Sequence, residues 1–260
     1  MDEPDRDVST VANVLAKRTS LLTALADGPT DQRRLRDELG VSRSTVYKAL
    51  KELEEVGLVE QRAGGYGLTG FGRLAWQRHD AYLARLERLN DAERLLEGLP
   101  ADRQYPPSLF EHGHIVTTGR NAPERPLERM EARAANTVQL RCLSPVGMPR
   151  YLEATHERVE ETDQTVTLVT ESAALSRLAD SYDRFEAALE EPGLNLRAST
   201  EQLPFAVMLF DDDEIGLFAY DDGSLLGATF SSDDDAIRWG RTVFERARER
   251  SELVERSTPV

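Results

Sequence analysis

Residues 35–69 read LRDELGVSRSTVYKALKELEEVGLVEQRAGGYGLT, and local chemistry alone divides that stretch into helix, turn, helix and hairpin. Leu35 and Leu39 stand one helical turn apart, and Gly40 supplies the left-handed residue that stops a helix. Ser42 is placed to cap the helix that follows. In that second helix Val46, Leu50, Leu53 and Val56 recur at helical spacing, a single apolar stripe that must face a core. Arg43, Ser44, Tyr47, Lys48 and Lys51 are thereby turned outward, with Ser42 and Thr45 at the first turn. Gly57 ends the helix, and Leu58–Arg62, Ala63-Gly64-Gly65 and Tyr66-Gly67-Leu68 read as strand, glycine turn and strand.

Helix, tight turn, helix and hairpin in that order are the parts of a winged helix-turn-helix. The outward residues are small donors, cations and an aromatic, which suit base edges and phosphates when such a helix lies in the major groove. Arg62 and Tyr66 on the hairpin, and Arg33 and Arg34 on the preceding helix, are the further contacts this reading expects. A solvated amphipathic helix beside a surface hairpin explains each feature singly, and it is their agreement in order that favours DNA. The segment resembles the winged-helix domain of archaeal and bacterial regulators, whose recognition helix reads like Ser42-Arg43-Ser44-Thr45-Val46-Tyr47-Lys48-Ala49-Leu50. The partner that the resemblance implies is a double-stranded DNA operator.

A formal charge of −15 over 260 residues is unusual for such a partner, since phosphates call for a basic footprint. The distribution resolves this. Residues 28–78 hold nine Lys+Arg against seven Asp+Glu, a local +2, so the rest of the chain carries −17. Of the 32 basic residues only Lys17, Lys48 and Lys51 are lysines. Abundant carboxylates with arginine in place of lysine resemble the proteins of salt-loving archaea, where an acidic surface keeps a chain soluble. Cys142 is the sole cysteine, so no internal disulfide forms. No signal-like or bilayer-length apolar run is present, which predicts a cytoplasmic protein with no membrane partner.

Around the central stretch, residues 1–7 (MDEPDRD) are acidic and polar and are expected to be disordered. Val11, Val14, Leu15, Leu21, Leu22 and Leu25 form a helical pattern closed by Asp27-Gly28-Pro29, and Thr30 is placed to cap the next helix. Thr69 caps a long helix predicted to run to about Glu97, on which Ala75, His79, Tyr82, Leu86, Leu89, Glu93 and Leu96 alternate at three and four residues. Tyr82, Leu86, Leu89 and Leu96 are the dimerisation candidates. A stripe that packs on its own domain would look the same, with His79 and Glu93 weakening the seam, but two half-sites in an operator call for a homodimer. Pro100, Pro106 and Pro107 mark residues 98–107 as a linker. The expected organisation is therefore a winged helix at 8–69, a connecting helix at 70–97, the linker, and a second domain at 108–254.

In that second domain Phe110, Ile115 and Val116 are expected to start a strand, and Leu127–Ala135 a helix. Val138–Leu143, Thr165–Thr170 and Leu194–Ala198 read as strands separated by helices at Met148–Glu161 and Ala173–Leu189. Phe205–Phe210, Ile215–Tyr220 and Leu225–Phe230 form an antiparallel meander before a closing helix from Asp233 to about Leu253. The fold class is α+β, with a mixed sheet in the second half. Pro204–Asp212, Ile215–Tyr220, Leu226-Gly227 and a last helix with Trp239, Val243 and Phe244 are similar to the effector domains of TrmB-type and methanogenesis-regulator-like archaeal proteins. Such domains resemble the phospholipase-D architecture, whose chemistry uses histidine and lysine. No lysine follows Lys51, so a degenerate, non-enzymatic version is implied, with no catalytic residue and no cofactor.

A small-molecule effector is the leading expectation for this half, with Arg141, Ser144, Arg150, Thr170, Glu171 and Ser172 as weak candidates because they lie where strands give way to loops. An interaction module without a ligand is the second reading. A cation-dependent hydrolase using Asp211–Asp213, Asp221-Asp222 and Asp233–Asp235 is the third, disfavoured because Asp is expected at such turns and helix starts. His112 and His114 form a His-x-His pair without an evident third ligand, so no metal site is assigned.

Overall fold

A computed structural model describes residues 7–119, 122 and 124–254. Apart from Asp7, the stretch expected to be disordered at 1–7 lies outside the described residues. The chain divides into two units, residues 1–87 and 88–260.

The first unit is helical with one hairpin. Helices α1 (Val8–Lys17) and α2 (Thr19–Ala24) replace the single helix expected over Val11–Leu25. The break falls at Arg18, whose guanidinium is turned to Glu52 at 2.8 Å. Helices α3 (Gln32–Leu39) and α4 (Arg43–Glu55) follow, then strands β1 (Val59–Arg62) and β2 (Gly65–Leu68). β1 and β2 pair antiparallel, Val59 opposite Leu68 and Arg62 opposite Gly65. Leu22, Leu25, Leu35, Leu50, Leu53 and Leu58 are buried within 1% of completely and form the centre of the core. Each such side chain contributes about 1.5–3 kcal/mol relative to exposure.

Helix α5 (Gly70–Asp91) starts in the first unit. Its Trp76 and Ala75 join that core, and His79 Nε2 lies 3.0 Å from the Thr19 hydroxyl. The long helix expected to Glu97 stops instead at Asp91, and buried Ala92 leads into the short α6 (Glu93–Glu97).

The second unit surrounds an eight-stranded mixed sheet. After α6 come α7 (Ser108–Glu111), β3 (His114–Thr117), α8 (Arg125–Ala134), β4 (Gln139–Ser144), α9 (Pro149–Glu161), β5 (Thr165–Glu171), α10 (Ser172–Ser181), α11 (Phe185–Glu190), β6 (Leu194–Ser199), β7 (Ala206–Phe210), β8 (Glu214–Asp221), β9 (Ser224–Ser231), α12 (Asp234–Glu249) and β10 (Ser251–Leu253). The strand order is β10-β6-β5-β4-β7-β8-β9-β3. β4, β5 and β6 run parallel, and all other pairs are antiparallel. Alternation along the strands gives each face its own core. Leu143, Val207, Leu209, Ile215 and Leu217 meet Phe244 of α12, whereas Leu140, Phe210, Phe218 and Phe230 belong to the opposite face with Met130 of α8 and Leu152 of α9.

Three expectations are corrected here. Residues 98–107 are not a free linker: Leu99 is buried, Tyr105 meets Phe110, Phe205 and Trp239 edge-on or tilted, and the Trp239 indole donates to the Gln104 carbonyl at 3.1 Å. The prolines here shape a strap laid over the core rather than a tether. Phe110 is helical and buried, and the strand starts only at His114. The closing helix ends at Glu249, and residues 251–253 become β10, Ser251 opposite Ser199. Arg197 clamps this edge, donating to Ser251 Oγ at 2.9 Å and to its carbonyl at 2.6 Å. The open edge of β6 attracts the chain where helical periodicity alone would continue.

Candidate nucleic-acid interface

Capping sets the geometry of α3 and α4. Asp31 accepts from the amides of Arg33 and Arg34 at 2.9 and 3.0 Å, fixing the start of α3. Gly40, at φ 64°, reverses the chain in a conformation that side-chain-bearing residues adopt at a cost. Ser42 Oγ then accepts from the Thr45 amide at 3.2 Å and lies 2.8 Å from both the Ser44 and Thr45 hydroxyls. The two helices therefore meet at a turn of three residues, with the first turn of α4 in solvent.

Helix α4 has sharply different faces. Val46, Ala49, Leu50 and Leu53 are buried, and Arg43, Ser44, Thr45, Lys48, Lys51 and Tyr47 are exposed, Tyr47 to 59%. Arg33, Arg34, Arg43 and Lys48 make no ion pair with a described residue. Lys51 lies 4.0 Å from Glu55, a loose exposed contact. Glu52 is the carboxylate of this helix that is tied down: its hydrogen bond from Arg18, and then that from Lys17, hold it below the usual range.

The hairpin is anchored by Thr30, which exchanges backbone hydrogen bonds with Tyr66 at 2.9 and 3.0 Å. The strand pairing of Gly65 and Tyr66 beside Thr30 leaves no room for a side chain at Gly65, whose φ is 132°. Arg62 is exposed and bonded to Glu60 at 2.6 Å. Tyr66 does not stand out with the exposed set, because its ring is half-buried against the core.

The remaining predicted residues are distributed differently. Tyr82 and Leu86 are exposed on α5, to 55% and 43%, but Leu89 and Leu96 pack on the core of the second unit. Leu89 is on the same helix as Tyr82 and Leu86, whereas the helix break at Ala92 sets Leu96 on α6. Of the effector candidates, Ser144 lines the cavity between the sheet and helices α8 and α9, and its hydroxyl is engaged with Val146. Arg141 pairs with Asp212 on the α12 side of the sheet. Arg150 donates to Glu131 and to the Tyr151 hydroxyl, both at 2.8 Å. Thr170 donates to the Ser144 carbonyl, Ser172 to the Ser199 carbonyl, and Glu171 accepts from the Leu203 amide. These groups satisfy local backbone and neighbouring charges.

The acidic turn at residues 211–214 is similarly occupied. Asp211 accepts from the amides of Val138 and Gln139, Asp212 pairs with Arg141 and Arg241, and Asp213 and Glu214 pair with Arg133. Asp233 caps α12 and lies 3.3 Å from His112, so His112 and His114 do not share a strand. One group missed in the sequence brings His156, Glu160 and Glu191 together, with ligand atoms within 4.8 Å of one another. Two of the three already have partners: His156 Nδ1 is 2.9 Å from the Tyr182 hydroxyl, and Glu160 accepts from Arg184 at 2.5 Å. Among the described residues no helix is long and apolar enough to cross a membrane.

Residues 123–250 match the family described as the middle domain of the methanogenesis regulatory protein FilR1, and residues 5–91 match the HVO_A0261 N-terminal domain. The chain is 23% identical over 268 residues to the methanogenesis regulatory protein FilR1 of Methanothrix harundinacea (strain 6Ac), covering 96% of this chain and 59% of that protein. It thus spans 59% of the length of the curated relative that it matches. Among solved structures it is similar to TrmBL2, described as an archaeal chromatin protein, at 14% identity with a TM-score of 0.42, covering 95% of this chain and 100% of that one. It is also similar to NucT from Helicobacter pylori, at 9% identity and 0.42, covering 55% and 98%. The chain thus carries, in order, a region similar to the HVO_A0261 N-terminal domain and a region similar to the FilR1 middle domain.

Proposed function

We propose that the chain is a sequence-specific DNA-binding transcriptional regulator whose first unit is a winged helix-turn-helix. The observation that carries this reading is α4, buried along one side and presenting Arg43, Tyr47 and Lys48 on the other with no partner among the described residues, with the β1–β2 hairpin following it. A solvated surface helix gains nothing from holding a tyrosine out in water, whereas a helix lying in the major groove uses it. Arg43 and Ser44, in the first turn, read base edges; Arg33, Arg34, Lys48, Lys51 and Arg62 contact phosphates. With −17 elsewhere in the chain, phosphate attraction is local, and association depends on this face being presented correctly.

The working form is a homodimer, and Leu74, Tyr82 and Leu86 on α5 supply exposed apolar surface for it. The second unit regulates, either by taking up a small molecule or by docking another protein, and carries no catalysis. Its phospholipase-D likeness, if it extends to chemistry, lacks the required lysine. The protein works in the cytoplasm of a salt-loving archaeon.

The test is selection of double-stranded DNA from a random library by the full chain, followed by anisotropy titration of the winning sequence against a scrambled one. Recovery of an inverted repeat preferred at least a hundredfold supports the reading. Equal affinity for both sequences would leave α4 as a protein-docking helix.

A further inference from the structure

The face of the sheet covered by α8 and α9 is not fully filled. Cys142 on β4 stands opposite Leu168 on β5 and Met208 on β7, so three side chains form one row across the middle of the sheet. The next position in the row is Gly216 on β8, which offers no side chain. Leu168 and Met208 lie on interior strands, where such residues are ordinarily buried, yet each is only half-buried. Above them is a cavity of about 300 Å³, walled by Met130, Met148, Tyr151 and Leu152 and bordered by Tyr220. It sits beside Ser144 and Gly147, where β4 gives way to α9, the position at which open α/β sheets take ligands.

Polar groups around the cavity define what it accepts. Glu131 is bonded to Arg150, and Arg158, which donates to the Ala135 carbonyl in an exposed contact, is a rim charge with no carboxylate partner among the described residues. Gln164 spends its amide on the carbonyls of Ala134 and Thr137. Burial pushes the Cys142 thiol up to about 12 and raises the Tyr220 hydroxyl further, so both are neutral. The hydroxyls of Tyr220 and Thr155 have no hydrogen-bond partner among the described residues. A charge held among the apolar walls, away from the Arg158 rim, would be left uncompensated, and a sugar would bring more hydroxyls than the walls can satisfy. The methionines add adaptable, polarizable surface.

We propose that this cavity is a binding site for a small, uncharged, mainly apolar molecule filling roughly ten water volumes, at about 30 Å³ each, carrying one hydroxyl or carbonyl for Tyr220. This gives the regulator reading its class of effector, and it rests on that reading for its purpose but not for its measurement.

The test titrates the full chain with 1-naphthol in the absence of DNA, alongside naphthalene, which lacks the hydroxyl, and 1-naphthalenesulfonate, which is anionic. Saturable one-to-one binding of 1-naphthol is expected, with the sulfonate at least tenfold weaker. Met208→Trp fills the cavity and is expected to reduce 1-naphthol affinity at least tenfold. Tyr220→Phe should cost several-fold for 1-naphthol and nothing for naphthalene, and this variant alone decides the matter if Met208→Trp does not fold. Absence of saturable 1-naphthol binding, equal binding of the sulfonate, or indifference to both substitutions would overturn the proposal. Operator selection reads the first unit separately, so failure of the DNA reading and failure of this site are distinguishable.

Discussion

Arg133 and Arg141 in the second unit and the outward cations of α3 and α4 in the first are used in opposite ways. In the second, Arg133 reaches Asp213, Glu214 and the Thr137 hydroxyl while its guanidinium lies 5.5 Å from the centre of the Phe210 ring. Arg141 joins β4 to Asp212 in the β7–β8 turn, and Arg184 ties α11 to Glu160 of α9. In the first unit Arg33, Arg34, Arg43 and Lys48 project into solvent with no ion pair to a described residue. A cation surrounded by carboxylates is already committed to holding elements together. One kept apart from them remains able to meet an outside anion, which in an acidic chain requires local arrangement rather than overall charge.

Substitutions at the two kinds of cation sharpen this contrast. Arg133→Ala leaves Glu214, only 13% exposed, with Arg129 as its one remaining cation among the described residues, and is expected to cost about 2 kcal/mol in urea unfolding of the second unit. Arg43→Ala is expected to lower affinity for the selected operator about tenfold or more, with stability unchanged to within about 0.5 kcal/mol. Lys48→Ala should weaken all DNA sequences alike and reduce the slope of log affinity against log salt by about 1. If Arg43→Ala instead unfolded the chain and left sequence preference intact, the division between holding and reaching cations would fail.

A smaller effect is expected at Ser42→Ala, which removes the α4 cap and costs about 1 kcal/mol, with Ser42→Gly recovering most of it. The smallest comes from acid. The Asp7 carboxyl, bonded first by the Thr10 hydroxyl and then by Ser9, is held at about 2, and Glu52 is also lowered. Both folded-state values lie below the unfolded ones, so their contribution is complete above about pH 4.5 and is lost as pH falls toward 2. Thermal melts across that range are expected to show a slight decline for the first unit, reduced in Asp7→Asn.

What could be read beforehand follows from range. Gly40, Ser42, Gly57 and the Gly64-Gly65 turn act on neighbours within a few residues, so α4 and the hairpin are legible from their own sequence, whereas the α3 cap is Asp31 and not the expected Thr30, whose hydroxyl donates to the Gly28 carbonyl. The strands of the second unit are similarly visible because inward and outward residues alternate. Breaks at Arg18, Ala92 and Tyr182 are not, since each depends on what the helix meets in space. The strap over 98–107 looks like a linker because proline composition is local, while burial of Leu99 and stacking of Tyr105 are not. The effector candidates illustrate the same limit. Polar residues at strand ends attracted the assignment to Arg141, whereas its neighbour Cys142, on the opposite face, borders the cavity.

The placement of β3 bears on how the chain folds. It is the first strand of its sheet in sequence, but it pairs with β9, Thr117 opposite Gly227 and His114 opposite Phe230. A strand made early must therefore wait for one made more than a hundred residues later, and its exposed edge has no native partner in the interval. The first unit, whose hairpin closes between residues 59 and 68, has no such delay. Closing long loops is the slow step in domains of this kind. The helical unit should thus be complete while the sheet is still assembling, so that during synthesis the chain passes through a stage with a finished N-terminal domain followed by an unfinished one.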